Sequence, residues 1–202
     1  YLYFEELNID PKDPKKADRD RFVLSKGHTA PGYYSALAHR GFFPVEDLKT
    51  LRHTGSYLQG HPDMKHIPGV DMSSGSLGQG ISAAVGMAIS AKLSNDDYRV
   101  YTLLGDGEIQ EGQVWEASML AGFRKLDNLV VIVDNNNLQI DGRIDEVNSP
   151  YPIDKKFEAF NFHVINIDGH DFDQIAAAFK EARETKGMPT AIIAKTIKGK
   201  GC

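Results

Sequence analysis

The amino-acid sequence predicts an α/β fold, a doubly wound parallel sheet with helices on both faces. Short apolar segments alternate along the chain with longer segments of helical pattern, and this alternation is typical of βαβ units. Polar clusters follow three of the apolar segments. In open α/β sheets, ligands bind in the crevice at the carboxyl ends of the strands, so the same pattern predicts the edge of the sheet at which a site lies.

The first part of the chain is predicted to hold one short strand and two short helices. A charged, turn-rich segment at 8–21 precedes an apolar strand at 22–24. Helices are predicted at 33–41 and 44–52, with glycine and proline marking their boundary. Residues 53–71 are rich in glycine and proline and show little periodicity, so we expect an irregular loop long enough to carry function.

The second part of the chain alternates more regularly. A helix is predicted at 77–93, where small residues at every fourth position let another backbone approach closely. The segment 129–133 is almost fully apolar, which is typical of a strand covered on both faces. The remaining strands are predicted at 100–104, 162–167 and 190–197, and the remaining helices at 111–125 and 173–186.

Length, charge and cysteine content narrow the class of protein. With 202 residues, 41% of them hydrophobic, the chain is expected to form one domain with its own core. Its net charge of −5 gives no electrostatic case for binding nucleic acid or an anionic membrane surface. Cys202 is the one cysteine in the sequence, so an intrachain disulfide is impossible and a cytoplasmic location is expected.

The sequence predicts neither a membrane span nor a signal peptide. Residues 72–91 lack formal charge, but their glycines, serines and Gln79 make this stretch too polar for lipid. The first ten residues have no basic region ahead of their apolar ones. Position 1 is Tyr and not Met, so we expect a fragment or a chain trimmed at both ends.

Asp106 is a candidate ligand-binding residue at the end of the predicted strand 100–104. The flanking Gly105 and Gly107 let the backbone turn sharply and let a ligand come close. The same Asp-Gly pair is also an ordinary turn signal. Taken alone, this cluster leaves both interpretations open.

A second polar cluster, Asp-Asn-Asn-Asn at 134–137, follows the strand at 129–133. Carboxylate, amide and carbonyl oxygens are hard ligands that suit Mg²⁺ or Ca²⁺ and not Zn²⁺. Asn-rich turns are also common, so the specific signal is the pairing with Asp106, about thirty residues before Asn136. This pairing is similar to the thiamine diphosphate motif, in which Mg²⁺ joins two neighbouring strand ends to the cofactor's diphosphate.

The sequence resembles the N-terminal, diphosphate-binding part of the transketolase family over nearly its whole length. The resemblance implies a thiamine diphosphate-binding fold over residues 1–202. The motifs that carry it are FVLSKGH (22–28), GHPD (60–63), GSLGQGISAAVGMA (75–88), GDGEIQEGQVWEA (105–117), DNNNLQIDG (134–142), FEAF (157–160), DGHD (168–171) and KTIKGKG (195–201).

The resemblance also implies roles for individual residues in binding Mg²⁺ and thiamine diphosphate. The expected metal ligands are the side chains of Asp106 and Asn136 and the backbone carbonyl of Leu138. Gly107 and Asn136 match contacts to the diphosphate, and His28 matches a histidine near it. The segment that matches the one lying along the cofactor's rings consists of Gly75, Ser76 and Leu77.

Further matching residues are implied on the catalytic side. His61 matches a histidine that contacts the ketose donor, and with His28 and Glu111 it forms the expected catalytic set. Glu111 and Glu116 match acidic residues of a network that links two active sites in a dimer. Their helix is apolar at most positions, so we expect it to be buried or at an interface. The alternative is a pair of solvated helix charges.

The implied activity is transfer of a two-carbon ketol unit from a ketose phosphate to an aldose phosphate, as in the pentose phosphate pathway. The resemblance implies that a pyrimidine-binding domain or subunit supplies the glutamate that activates the cofactor, and that active sites are shared in an oligomer. Alternatives are an enzyme of the 1-deoxyxylulose-5-phosphate synthase or dihydroxyacetone synthase type, or a non-catalytic cofactor-binding module. For His170, in the DGHD motif, two roles stay open: it reaches the site from its strand end, or it stabilises the turn.

Overall fold

A five-stranded parallel sheet organises the computed structural model, which describes residues 1–140 and 142–201. Asp141, within the motif at 134–142, and Cys202, on which the disulfide prediction depends, lie outside the described residues. The strands in chain order are β1 (Arg21–Leu24), β2 (Val100–Gly105), β3 (Leu129–Asn135), β4 (Leu138–Gln139), β5 (Gly142–Arg143), β6 (His163–Asp168) and β7 (Thr190–Lys195).

The strand order across the sheet is β1-β2-β3-β7-β6, and all neighbours run parallel. Strands β4 and β5 form a separate antiparallel pair. Parallel neighbours need crossover connections, which here contain helices. The helices are α1 (Ala30–Arg40), α2 (Gln79–Ser94), α3 (Gly112–Phe123), α4 (Ile144–Val147), α5 (Ile153–Ala159) and α6 (Phe172–Glu184).

Helices cover both faces of the sheet, which confirms the predicted fold class. Side chains alternate between the faces along each strand. On β3, Val131 packs in the core shared with α2, α3 and α5, whereas Val130 packs in the core shared with α1 and α6. The all-apolar segment of β3 therefore results from burial on both sides.

Two glycines permit the closest approaches between elements. A β-carbon on Gly80, in the first turn of α2, would lie 2.6 Å from the Cα atom of Ser25. A β-carbon on Gly122, in α3, would overlap the carbonyl oxygen of Phe160. The close approach of α2 to the end of β1 is at Gly80, whereas a β-carbon on Gly86, one of the small residues predicted to allow such an approach, would have no atom within 4 Å.

Several elements differ from the sequence prediction. The predicted helix at 44–52 is a short 3-10 helix, Val45–Thr50. The predicted strand at 190–197 ends at Lys195, and the two following residues enter the site described below. Helix α5 and the β4–β5 pair lie in a region where no element was predicted. Across the described ranges, no helix combines the length and apolar character needed to cross a bilayer.

Candidate functional site

A cleft of about 670 Å³ lies at the carboxyl ends of β1, β2, β3 and β7. This is the edge of the sheet at which the sequence predicts a site. The segment after each of these strands contributes to the walls. Six of the predicted site residues line this cleft: His28, Leu77, Asp106, Gly107, Asn136 and Leu138.

Asp106 lies at the base of the cleft and is 1% exposed. Its Oδ1 accepts a hydrogen bond from the amide of Gly107 at 2.9 Å, and its Oδ2 accepts one from the amide of Asn137 at 2.6 Å. Asn137 has a φ of 60°, so the chain turns sharply there. The carboxylate therefore ties the loop after β2 to the loop after β3.

Burial raises the pKa of Asp106, although the two amide donors oppose this shift. A buried carboxylate whose charge is only partly compensated is suited to a cation. The charge and position of Asp106 therefore agree with its predicted role as a metal ligand. That role stays a prediction.

The other two predicted ligands follow β3. Two hydrogen bonds fix the orientation of the Asn136 side-chain amide. Its Oδ1 accepts from the backbone amide of Leu138 at 3.0 Å, and its Nδ2 donates to Asp134 at 3.1 Å. Leu138 begins β4, whose pairing with β5 holds its backbone. Asn136 and Leu138 both line the cleft that contains Asp106.

The donor set fits Mg²⁺ on a diphosphate. One carboxylate, one amide oxygen and one carbonyl are hard ligands, and Mg²⁺ is commonly held by few protein groups together with phosphate oxygens. In the described ranges, no group of three or more His, Cys, Asp or Glu side chains is arranged to hold a metal. A site with a single carboxylate is of a different kind, in which the ligand itself supplies much of the negative charge.

A buried charge network under the cleft was missed by the sequence analysis. Lys26, 7% exposed, donates to the carboxylate of Asp134, which also accepts from the hydroxyl of Thr196. Burial raises the pKa of Asp134, but Lys26 and the hydrogen bonds hold it below its ordinary value. The signal in the sequence that indicates this network is Lys26, a lysine two positions after the apolar strand 22–24.

His28 lies on the short 3-10 helix after β1 and is exposed on the cleft side. A β-carbon on Gly27 would lie 2.8 Å from the backbone nitrogen of Gly75, so the loops that carry His28 and Gly75 are in contact. Partial burial lowers the pKa of His28, and nearby cationic groups act in the same direction: Lys26, His61 and Lys198.

His61 lies outside the main cleft, in a shallow depression of about 550 Å³ that Gly75 and Ser76 also line. Its ring packs on Gly75, where a β-carbon would lie 3.2 Å from the Cδ2 atom of His61. The segment 75–77 joins the two spaces, because Leu77 lines the cleft. The predicted residues that line the cleft and those that line the depression are thus adjacent through the segment 75–77.

Glu111 and Glu116 are both exposed in this chain. Glu111 is the N-cap residue of α3, and Glu116 lies within that helix. The described chain therefore shows solvated carboxylates, and their desolvation would require a partner surface. The same helix also exposes three large apolar side chains: Met119, Leu120 and Phe123.

His170, whose role the sequence left open, also lines the cleft. Its Nε2 accepts a hydrogen bond from the backbone amide of Ile197 at 2.8 Å. A β-carbon on Gly169 would lie 2.6 Å from the Cγ2 atom of Thr196, so the turn after β6 packs directly on the segment after β7. His170 therefore contacts the segment after β7, which also lines the cleft.

The chain matches a known protein family along its whole length. The family model for the transketolase thiamine diphosphate binding domain matches residues 1–202. The chain is 50% identical to the 6-deoxy-6-sulfo-D-fructose transketolase subunit SqwG of Clostridium sp. strain MSTE9, covering 99% of this chain and 73% of that protein. It is 44% identical to an apulose-4-phosphate transketolase subunit of Actinobacillus succinogenes, covering 99% and 72%.

Full-length transketolases are similar over a smaller share of their length. The solved transketolase from Leishmania mexicana superposes with a TM-score of 0.92 at 38% identity, covering 96% of this chain and 31% of that chain. The chain thus spans about a third of that enzyme and about three quarters of the two subunits. Because the family model matches the whole chain and the fold agrees, this chain belongs to the transketolase family and contains its thiamine diphosphate-binding domain.

Proposed function

We propose that this chain supplies the diphosphate- and Mg²⁺-binding part of an enzyme that transfers a two-carbon ketol unit from a ketose phosphate to an aldose phosphate. The observation that carries the proposal is the cleft in which Asp106, Asn136 and Leu138 meet at two adjacent strand ends. Membership of the transketolase family supports it independently.

In this proposal, Asp106, the Oδ1 atom of Asn136 and the carbonyl of Leu138 hold Mg²⁺. Gly107 and His28, which line the same cleft, would contact the diphosphate. Thiamine diphosphate, when bound, supplies the nucleophilic carbon needed to break and form the carbon–carbon bond. This chain would bind and orient the anionic end of the cofactor, and the Mg²⁺ that it holds would neutralise part of the diphosphate charge.

The outer depression is proposed as part of the donor site. His61 is exposed there and rests on Gly75, so it can donate to or accept from a substrate hydroxyl without touching the diphosphate cleft. Gly75, Ser76 and Leu77 run from this depression into the cleft, which suits a segment lying along the cofactor's rings.

A second polypeptide region is needed to complete the site. Of the carboxylates near the motif, Asp106 is committed to the metal and Glu108 is enclosed by three donors. Glu111 and Glu116 are exposed on α3, where the apolar surface suits a partner. We therefore propose that a pyrimidine-binding domain or subunit supplies the activating glutamate, in a homo- or hetero-oligomer with shared active sites. Two relatives are themselves named as subunits.

We further propose a cytoplasmic role in sugar phosphate metabolism of the pentose phosphate type. The sequence favours a reducing compartment, because an intrachain disulfide is impossible with a single cysteine. A second donor class follows from the relative that is 50% identical and named for 6-deoxy-6-sulfo-D-fructose. A sulfonated ketose also carries an anionic terminus, a sulfonate in place of the phosphate ester, and belongs in any substrate panel.

The test is ketol transfer by the purified chain at saturating Mg²⁺ and thiamine diphosphate, with and without a pyrimidine-binding transketolase subunit. We expect no turnover by the chain alone and turnover by the pair. The panel includes a ketose phosphate, a sulfonated ketose and pyruvate as donors, and pyruvate as the preferred donor would favour the 1-deoxyxylulose-5-phosphate synthase alternative. Appreciable turnover by the lone chain would refute the shared site, and cofactor binding without turnover by the pair would favour a non-catalytic module.

A further inference from the structure

Glu108 is a buried carboxylate to which neither the sequence motif nor the proposed chemistry assigns a role. It is 3% exposed and begins the short 3-10 turn Glu108–Gln110 after β2. Its Oε1 accepts from the hydroxyl of Ser25 and from the amide of Gly78 at 2.9 Å, and its Oε2 accepts from the amide of Gly105 at 3.0 Å. Both oxygens are thus occupied by protein donors.

The three donors belong to three different segments of the cleft. Ser25 immediately precedes the loop that carries Lys26 and His28. Gly78 immediately follows the segment 75–77 and is the N-cap residue of α2. Gly105 immediately precedes Asp106. One carboxylate therefore connects, within hydrogen-bond distance, the segments that hold the proposed ring, diphosphate and metal contacts.

The packing around Glu108 leaves little room for another arrangement. Gly78 has a φ of +80°, and a β-carbon on it would lie 2.8 Å from the Cβ atom of Glu111. A β-carbon on Gly80 would lie 2.6 Å from the Cα atom of Ser25. The start of α2 therefore packs closely against the loop after β1 at Gly80 and against Glu111 at Gly78.

The charge of Glu108 is also favourable where it lies. Its carboxylate accepts from the N-terminal amide of α2, where the helix dipole favours an anion. Burial raises the pKa of Glu108, and the hydrogen bonds from Ser25, Gly78 and Gly105 lower it. Hydrogen bonds to a charged acceptor are stronger than those between neutral groups.

We propose that Glu108 is a positioning residue of the site: it fixes the three segments relative to one another, and the affinity for the Mg²⁺–diphosphate group depends on it through those segments. The inference rests on the proposed function. It adds Glu108 to the residues on which cofactor binding depends, acting through the segments Lys26–His28 and 75–77 and through Asp106.

The experiment compares Glu108→Gln, Ser25→Ala and the double variant in the complex with the pyrimidine-binding partner. A glutamine at 108 keeps the shape but places an amide NH₂ against a backbone N–H donor. We expect the Kd for thiamine diphosphate at fixed Mg²⁺ to rise about tenfold or more in Glu108→Gln and less in Ser25→Ala. The double variant should match Glu108→Gln, because the Ser25 bond is then already weakened.

The turnover number separates positioning from direct catalysis. At saturating cofactor, kcat should stay within about threefold of the wild type, because Glu108 acts on assembly of the cleft and not on the reacting atoms. Glu158→Gln is the matched control, since Glu158 is exposed on α5 and paired with Lys155. It should change neither the Kd nor kcat.

Three outcomes would overturn the proposal: a lowered melting temperature with an unchanged Kd, a lost kcat at saturating cofactor with an unchanged Kd, or strict additivity of the two substitutions. If Glu108→Gln does not fold, Ser25→Ala alone must still raise the Kd by about threefold. Failure of the wild-type complex to bind the cofactor would instead contradict the proposed function, so the two failures are distinguishable.

Discussion

Lys26, just beyond the end of β1, donates a hydrogen bond to the carboxylate of Asp134, near the end of β3, across the intervening strand β2. The side chain passes over Gly105, where a β-carbon would lie 3.5 Å from the Cδ atom of Lys26. Only 9% of the Lys26 side chain and 23% of the Asp134 side chain are exposed. The floor of the cleft is therefore a charge pair that spans three strands.

Replacing Lys26 by methionine should destabilise the fold strongly. The substitution keeps most of the side-chain volume but leaves the partly buried Asp134 carboxylate without its cation. Removing one partner of a buried pair costs about 3 kcal/mol or more. The matched control is Lys92→Met, because Lys92 pairs with an aspartate of similar exposure, Asp127, but its own side chain is 47% exposed against 9% for Lys26. It should cost less than about 1 kcal/mol. Equal losses in urea unfolding would show that Lys26 does not act through a buried pair.

Asp106→Asn should separate metal binding from folding. The amide keeps the size of the side chain and one acceptor oxygen, so the domain should fold. The loss of a charged metal ligand should lower the Mg²⁺-dependent affinity for thiamine diphosphate at least about 100-fold. Calorimetry on the complex with its partner measures this, with the exposed Asp97→Asn as the control. An unchanged Kd in Asp106→Asn would contradict the metal assignment.

His61→Ala should lower turnover and leave cofactor affinity nearly unchanged. His61 lies in the outer depression and not among the residues that line the diphosphate cleft. A side chain that acts on substrate and transition state affects kcat and not cofactor binding. We expect kcat to fall about tenfold or more, with the Kd for the cofactor within about twofold. Loss of cofactor with normal kcat at saturation would place His61 at the diphosphate; the exposed His53→Ala is the control.

The sequence predicted the sheet and its functional edge because those depend on local patterns. The all-apolar segment at β3 and the glycines around Asp106 are visible without knowing any contact. Helix α5 was missed because it has only seven residues, and the burial of Phe157 against the sheet stabilises it. The hydrogen bonds of Glu108 could not be predicted from the sequence, because they also depend on tertiary contacts. Its partners lie 83, 30 and 3 residues away, and only the sheet order brings them together.

The loop that carries His61 should keep its structure to a low pH. Asp63 accepts from the amide of Lys65 at 2.9 Å, from His66 Nδ1 at 2.7 Å and from the hydroxyl of Ser73 at 3.0 Å. These hydrogen bonds lower the pKa of Asp63 from 3.8 to about 2. Because the pKa of Asp63 is lower in the folded than in the unfolded state, its ionised carboxylate stabilises the fold at pH values above the unfolded-state pKa of 3.8. This stabilisation is lost as the pH falls from 3.8 through about 2.

The measurement for Asp63 is a carboxyl ¹³C titration by NMR, with Asp63→Asn used to assign the signal. We expect a midpoint near 2, below the ordinary carboxyl value of 3.8. A midpoint at or above 3.8 would show that the three donors do not hold the carboxylate in solution.

The ring of His170 should carry its proton on Nδ1 and a lone pair on Nε2. The backbone amide of Ile197 can only donate, so the Nε2 atom that it contacts at 2.8 Å must carry a lone pair. The ¹⁵N shifts of the ring should therefore report the Nδ1–H tautomer. An Nε2–H tautomer would contradict this arrangement. His170→Gln offers an internal check, because its side-chain oxygen can still accept from the amide of Ile197 and should keep the segment after β7 in place.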